Sequence, residues 1–278
     1  MRKKKRFYKV FQYIALLCAL IIIIFPVYWI IVSSFKVKED ILSYPPKIFP
    51  SQFTLSNYIT AFQDYNVLLY LKNSLIVTCA TVILTIIIAA LAAYAMCFLK
   101  MKGARILNNL LYILQVLPTI TMMVPLMTIY RMMGIQNTYL SLILTYTAAV
   151  SGAPIALILI KGYFQAIPQE LFESANIDGA GTFKCFYKIL LPLGAPGMVC
   201  TAIYVFVQTW REFMFAVNLI TLPEKYTLPV GLQSFVGMRS TDWGGMMATC
   251  TMIAIPAIIL FTMVQNYFVD NLAGSVKE

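Results

Sequence analysis

The chain has 278 residues, of which 60% are apolar, 14% aromatic and only 12% charged, with a formal net charge of +10. Soluble domains run about 45–50% apolar and about 25% charged, so these proportions exclude a soluble globular protein, a disordered chain, a secreted disulfide scaffold and a coiled coil, and they indicate an integral membrane protein. The sequence contains no histidine, which excludes histidine triads, histidine zinc sites and histidine-ligated haem.

The chain opens with Arg2-Lys3-Lys4-Lys5-Arg6 and Lys9, a run that marks a cytoplasmic start and explains the basic balance without a nucleic-acid partner. A membrane helix is predicted over 10–33. Its apolar run is longer than the core of a secretory signal, and no small-residue cleavage site follows Ser33-Ser34-Phe35. The outer loop 34–72 holds Tyr44-Pro45-Pro46, Phe49-Pro50 and then Ser56, a candidate cap for a short interfacial helix. Further spans are predicted at 73–99, 106–131 and 138–163, with kinks at prolines such as Pro118, Pro125 and Pro154.

The loop 164–193 is longer than a plain connector needs to be. Pro168 suits the first position of a short helix, and Glu170 favours its dipole. Gly179 suits a left-handed end. Thr182 then caps a second helix over 183–190, stopped by Pro192. Leu171, Ala175 and Asp178 follow one face, and Glu170 and Glu173 are neighbours at i, i+3. With Phe172, Phe183, Phe186 and Tyr187 expected at its surface, the loop reads as a docking element for a groove on a partner.

The last two spans are predicted at 194–222 and 246–269, joined by an outer loop, 223–245, with Gly231, Gly237, Gly244 and Gly245. Ionisable residues within a span are costly and default to function. Arg211 and Glu212, with Gln208, Trp210 and Asn218, are therefore candidates for a polar substrate pathway, in which Trp210 or Phe213 would stack on the substrate. The competing reading is a polar contact between helices or subunits. Arg211 and Glu212 are adjacent, so they point to different partners.

The fold expected from this is all-α and integral to the membrane: six transmembrane helices with a long cytoplasmic helical loop, one domain over 1–278 with its core at about 73–270. Six spans put both termini on one side, and thirteen of the 21 basic residues then fall on the cytoplasmic side. None of the six cysteines forms a Cys-x-x-Cys pair; five lie in apolar runs, and Cys185 lies in the cytoplasmic loop. No metal or disulfide role is expected.

Glu173-Ser174-Ala175, then Gly179, then Ile189-x-Leu191-Pro192 resembles the EAA motif of ABC-importer permeases, Glu-Ala-Ala, three residues, Gly, nine residues, Ile-x-Leu-Pro. Ser174 replaces the first alanine. The resemblance implies that the loop forms coupling helices seated in a cleft of a cytoplasmic ATPase, with Glu173 paired to a basic residue there, Asp178 beside it and Gly179 making the turn. Leu55-Ser56-Asn57-Tyr58, Asn73-Ser74-Leu75, Thr227-Leu228-Pro229-Val230-Gly231-Leu232 and the tail Leu272-Ala273-Gly274-Ser275-Val276-Lys277 resemble the maltose-type carbohydrate permeases, specifically the subunit without a large periplasmic insertion. Two departures stand out: Trp210-Arg211-Glu212-Phe213 replaces Trp-Asn-Glu-Phe, and Asn271 replaces a glycine.

The resemblance implies a sugar or oligosaccharide importer in the bacterial cell membrane. Its partners would be a second homologous permease, an ABC ATPase dimer and an extracytoplasmic sugar-binding protein that touches the 223–245 loop, all within membrane lipid. This chain lacks Gly-x4-Gly-Lys-Ser/Thr, so ATP and Mg belong to the partner and no cofactor is expected here. Three rivals remain: a permease for another solute such as polyamine or phosphate, an ion-driven secondary transporter, and an intramembrane enzyme. The secondary transporter would show intramembrane carboxylates and repeated halves. The enzyme would need a nucleophile and base, for which the spans offer few candidates.

Overall fold

The computed structural model describes residues 2–99, 101–116, 118–150, 152–238 and 240–274, with side chains described over 9–263 except at those gaps and at 114, 149 and 150. The tail residues from Ser275 to Lys277 lie outside the described residues. In chain order the helices are α1 (Arg2–Ser34), α2 (Lys38–Ile41), α3 (Ser56–Gln63), α4 (Val67–Phe98) and α5 (Ala104–Val116). They continue with α6 (Met123–Met132), α7 (Tyr139–Thr145), α8 (Ala153–Gln165), α9 (Gln169–Ile177) and α10 (Thr182–Cys185). The last four are α11 (Leu191–Trp210), α12 (Met214–Leu219), α13 (Leu228–Gly231) and α14 (Trp243–Gly274).

Among the described residues four helical stretches are long and apolar enough to cross a membrane: Lys9–Ser34, Val67–Phe98, Thr182–Trp210 and Trp243–Met263. A fifth exists if Tyr139–Ala148 and Ala153–Gln165, bent by 48°, count as one. The bend has a local cause. The π-turn Tyr146–Val150 is followed by Gly152 in an extended conformation and by Pro154, which has no N–H to continue the ladder. A Cβ at Gly152 would stand 2.5 Å from the Thr147 carbonyl oxygen, so only glycine permits this approach.

The expected span 106–131 is not continuous. Extended Pro118 (ψ 112°) and a 3-10 turn at Thr119–Met122 separate α5 from α6. The expected span 194–222 starts earlier, because Pro192 does not stop the second loop helix, and it ends sooner, at Trp210. α10 passes through a π-turn, Phe186–Leu190, straight into α11. The wider turn accommodates a residue that cannot donate its own hydrogen bond.

The chain forms two units, residues 1–68 with 231–256, and 69–230 with 257–278. In the first, Asp40 is buried and accepts from Lys47 Nζ at 2.5 Å and from the Ser51 amide and hydroxyl at 2.7 and 2.6 Å. These bonds hold its carboxyl down at about 2. Lys36, also buried, donates to the Lys47 carbonyl at 2.6 Å and stands 4.0 Å from the Trp29 ring centre. Burial pulls its ammonium pKa down, opposed by Asp40. Ahead of α3, whose cap position is Leu55, the Thr54 hydroxyl accepts from the Ser56 amide at 3.1 Å. Ser56 itself is the first helical residue, not the cap.

The second unit has two apolar clusters. One gathers Ala89, Ala93, Tyr94, Leu157, Ile160, Phe164 and Leu190, and the other Val77, Tyr130, Leu142, Tyr146, Phe215 and Leu219. α8 and α11 pack closely because α11 presents glycine to aromatic rings. A Cβ at Gly194 would lie 2.3 Å from Phe164 Cε1, and one at Gly197 would lie 2.2 Å from Tyr163 Cγ. Small residues at such crossings let helices in lipid gain dispersion contact. Gly197→Ala should therefore cost about 1–3 kcal/mol through overpacking, seen as a lowered melting temperature in detergent; an unchanged melting temperature would show that Tyr163 yields freely.

Candidate functional site

The 164–193 segment is a helical hairpin clamped at its base. α9 begins at Gln169 with Pro168 as the preceding extended residue and Glu170 in its first turn. It ends in a Schellman motif. Gly179, at φ +79°, donates to Asn176 O at 3.1 Å, and Ala180 donates to Ala175 O at 2.9 Å. Gly179 is thus needed for its backbone angle, as its place after the apolar run predicted. Gly181, not Thr182, occupies the cap position of α10.

Two aromatic residues expected at the surface are buried instead. Phe172 and Phe186 are 8% and 7% exposed, while Phe183 and Tyr187 are 72% and 45% exposed. The cause is the end of α4. The Tyr94 ring centre lies 6.0 Å from Phe172 and 5.1 Å from Phe186, and Phe98 lies 5.4 Å from Phe172. Tyr94 also donates its hydroxyl to the Thr182 carbonyl at 2.8 Å. Buried Cys185 completes the turn, its Sγ 3.6 Å from Ala180 O. Glu173, Ser174, Asp178 and Pro192 remain exposed, and Ala175, Ile189 and Leu191 are half-buried. The exposed apolar side chains include Leu171, Phe183, Tyr187, Leu193 and above all Ile177, at 86%.

The second candidate group straddles a helix break, with Gln208 and Trp210 in α11, Arg211 and Glu212 in the break and Asn218 in α12. α11 ends at Trp210, and Arg211 to Phe213 form a break before α12. Glu212 organises the break. Its carboxylate accepts from the Phe215 amide at 2.8 Å, the Ala216 amide at 3.1 Å and the Tyr146 hydroxyl at 2.6 Å. The first two bonds satisfy amides at the start of α12 that have no partner within the helix, and they place negative charge at its positive end. Arg211 instead donates to Gln208 Oε1 at 2.6 Å on the exposed side. Trp210 is buried and stacks on Phe206 at 5.3 Å, and Asn218 donates to Met214 O at 2.7 Å within α12.

The family model for the binding-protein-dependent transport system inner membrane component matches residues 83–273, spanning both the hairpin and the break. The chain belongs to this family. It is 39% identical over 260 residues to the probable ABC transporter permease protein YurM of Bacillus subtilis, covering 93% of this chain and 85% of that one. It is 34% identical over 270 residues to the sulfoquinovosyl glycerol transport system permease protein SmoH of Agrobacterium fabrum, covering 97% and 94%. To the trehalose/maltose transport system permease protein MalG of Thermococcus litoralis it is 35% identical over 261 residues, covering 92% of each. The fold matches the crystal structure of a bacterial ABC transporter involved in alginate import, with a TM-score of 0.84 over 95% of this chain and 98% of that one at 20% identity. These relatives serve several uptake systems, so the likeness is to the wider family and not to a maltose group alone. The chain is a membrane-embedded permease subunit, not an enzyme.

In the permease, Glu212 and Tyr146 join two discontinuities, the break after α11 and the π-turn between α7 and α8. Tyr146 was not singled out by sequence, since a tyrosine within an apolar run carries no motif; the intramembrane glutamate was the signal that a partner must exist. Glu212→Ala should lower the melting temperature of the purified permease, and Tyr146→Phe should also lower it, through a loss of stability of about 1.5–3 kcal/mol, the worth of a hydrogen bond to a charged group. Arg211→Ala, at an exposed pair, should change stability by no more than about 0.5 kcal/mol. Equal effects for all three would contradict this division of roles.

Proposed function

We propose that this permease carries a sugar or oligosaccharide across the bacterial inner membrane, as one of two homologous permease subunits fed by an extracytoplasmic binding protein and driven by a cytoplasmic ABC ATPase dimer. The carbohydrate reading is supported by relatives whose names specify sulfoquinovosyl glycerol, trehalose/maltose and diacetylchitobiose systems. The maltose-type subunit without a periplasmic insertion is the finer assignment. In this reading the chain crosses six times, with α5 and α6 together forming the broken third pass and α7 with α8 the bent fourth. Both termini and the hairpin then face the cytoplasm.

The observation that carries the coupling role is the hairpin's two-sidedness. Its aromatic base is locked onto α4, while its tip offers Glu173 and Asp178 beside exposed Leu171, Ile177 and Phe183. A surface that combines apolar anchors with carboxylates fits a groove that has an apolar floor and a basic rim. In the proposed docking, Glu173 pairs with a basic residue of the ATPase, Ser174 and Ala175 allow close approach, and Gly179 shapes the tip. Ile189, Leu191 and Pro192 carry the chain through the π-turn into α11. Closure of the ATPase dimer then moves the hairpin, and α4 and α11 follow it. Substrate would pass along the exposed side of the break, where Gln208 and Arg211 face outward from the chain, with Asn218 farther on and Glu212 and Trp210 fixing the geometry.

Reconstituted transporter with its own binding protein tests both parts. Uptake is expected for one of maltose, trehalose or diacetylchitobiose and for neither phosphate nor putrescine. Glu173→Lys should reduce that uptake at least about tenfold by placing like charges across the joint, while membrane insertion is kept. Uptake of phosphate or putrescine alone would overturn the carbohydrate reading, and undiminished uptake by Glu173→Lys would overturn the docking.

A further inference from the structure

In the unit formed by residues 1–68 and 231–256, two hollows share the walls Ile41, Leu42 and Trp243. One, of about 260 Å³, is polar, with Lys38, Asn57, Tyr65, Thr241 and Asp242 around it. The other, of about 280 Å³, is more apolar, with Trp29 and Met247 completing its lining beside Ser33. Trp29 and Ser33 lie near the end of the apolar stretch Lys9–Ser34, and Trp243 and Met247 at the start of Trp243–Met263. The apolar hollow therefore sits where two membrane-crossing helices reach the water boundary, the level at which indole rings concentrate. The polar hollow continues beyond the helix ends into α2 and the 240–242 segment.

The polar groups there are not used up by the fold. Among the described residues the Lys38 ammonium and the Tyr65 hydroxyl make no hydrogen bond or ion pair, and Asp242 uses Oδ1 alone, accepting from the Gly245 amide at 3.1 Å. Trp243 is 44% exposed between the two hollows. A molecule filling both must be apolar at one end and carry a cation and an anion together at the other. An uncharged sugar leaves Lys38 and Asp242 without countercharges and the apolar hollow unfilled.

We propose that the paired hollows hold a glycerophospholipid with a primary ammonium headgroup, of the phosphatidylethanolamine type. Its phosphate accepts from Lys38 and Tyr65, its ammonium donates to Asp242, and the upper part of an acyl chain lies against Trp29, Trp243 and Met247. Charged hydrogen bonds at the edge of a low-dielectric layer are strong enough to select among headgroups. Phosphatidylcholine has no N–H to give Asp242, and phosphatidylglycerol has no cation.

Native mass spectrometry of the assembled transporter, released from detergent containing equal amounts of the three lipids with identical acyl chains, tests this directly. Phosphatidylethanolamine should be retained about fivefold over either competitor, and Lys38→Ala or Asp242→Asn should each bring the ratio towards one. Lys38 is exposed and unbonded, and the side-chain amide introduced by Asp242→Asn keeps an oxygen for the Gly245 N–H, so both variants should melt as the wild type does in lipid-free detergent. Equal retention of all three lipids, preference for phosphatidylglycerol, a preference that survives both substitutions, or displacement of the lipid by maltose would each overturn the assignment.

Discussion

Tyr94 stands at the end of a membrane helix and holds the exposed hairpin by two means at once. Its ring packs against Phe172 and Phe186, and its hydroxyl binds the Thr182 carbonyl at the start of α10. Aromatic contacts of this kind are each worth about 0.5–1.5 kcal/mol beyond the area they bury, and Phe98 adds another against Phe172. Without this clamp the short α9 and α10 would lack the apolar contact that stabilises such brief helices. With it, the hairpin tip is a lever fixed to the helices behind it.

From the clamp the chain runs as one helical rod. Thr182–Trp210 is continuous through the π-turn at Phe186–Leu190 and spans 29 residues, about 40 Å at 1.5 Å per residue. Gly194 and Gly197 seat the rod against Phe164 and Tyr163 of α8. At its far end Glu212 meets Tyr146. The ends of the rod are thus both tied to other elements of the same unit, one by aromatic packing and one by a carboxylate. A displacement applied at the hairpin has a continuous packed route to the break, which is what a two-state rocking mechanism requires of this subunit.

Much of this was legible in the sequence because single residues carried unambiguous physical demands. Gly179 had to accept a left-handed backbone angle after an amphipathic run, and it does. Apolar length marked the presence of α1, α4 and α14 and the ends of α1 and α4, while α1 begins eight residues and α4 six residues before the spans expected from 10 and 73. What was not legible depended on neighbours distant in sequence. The solvent-facing side of α9 is set by Tyr94 and Phe98, so Phe172 turned inward and Ile177 outward, although both are apolar residues of one short helix. Pro192 was read as a stop, because the rule for proline assumes an i→i−4 ladder and the chain adopts a wider turn there. Glu212 was placed within a span by composition, whereas its own hydrogen bonds to the Phe215 and Ala216 amides begin a new helix. Its cost in the membrane is offset by three donors, so the ionisable residue marks a joint in the backbone.

The claim that the hairpin and the end of α4 move as one body is tested most directly by a distance. Spin labels at Ile177, which is 86% exposed, and at Leu99, which is 42% exposed, can be followed by pulsed electron resonance in the assembled transporter, with and without trapped ATP. The clamp predicts the same distance in both states to within about 2 Å. A change of more than about 5 Å between them would contradict it, since the hairpin would then be swinging free of the end of α4.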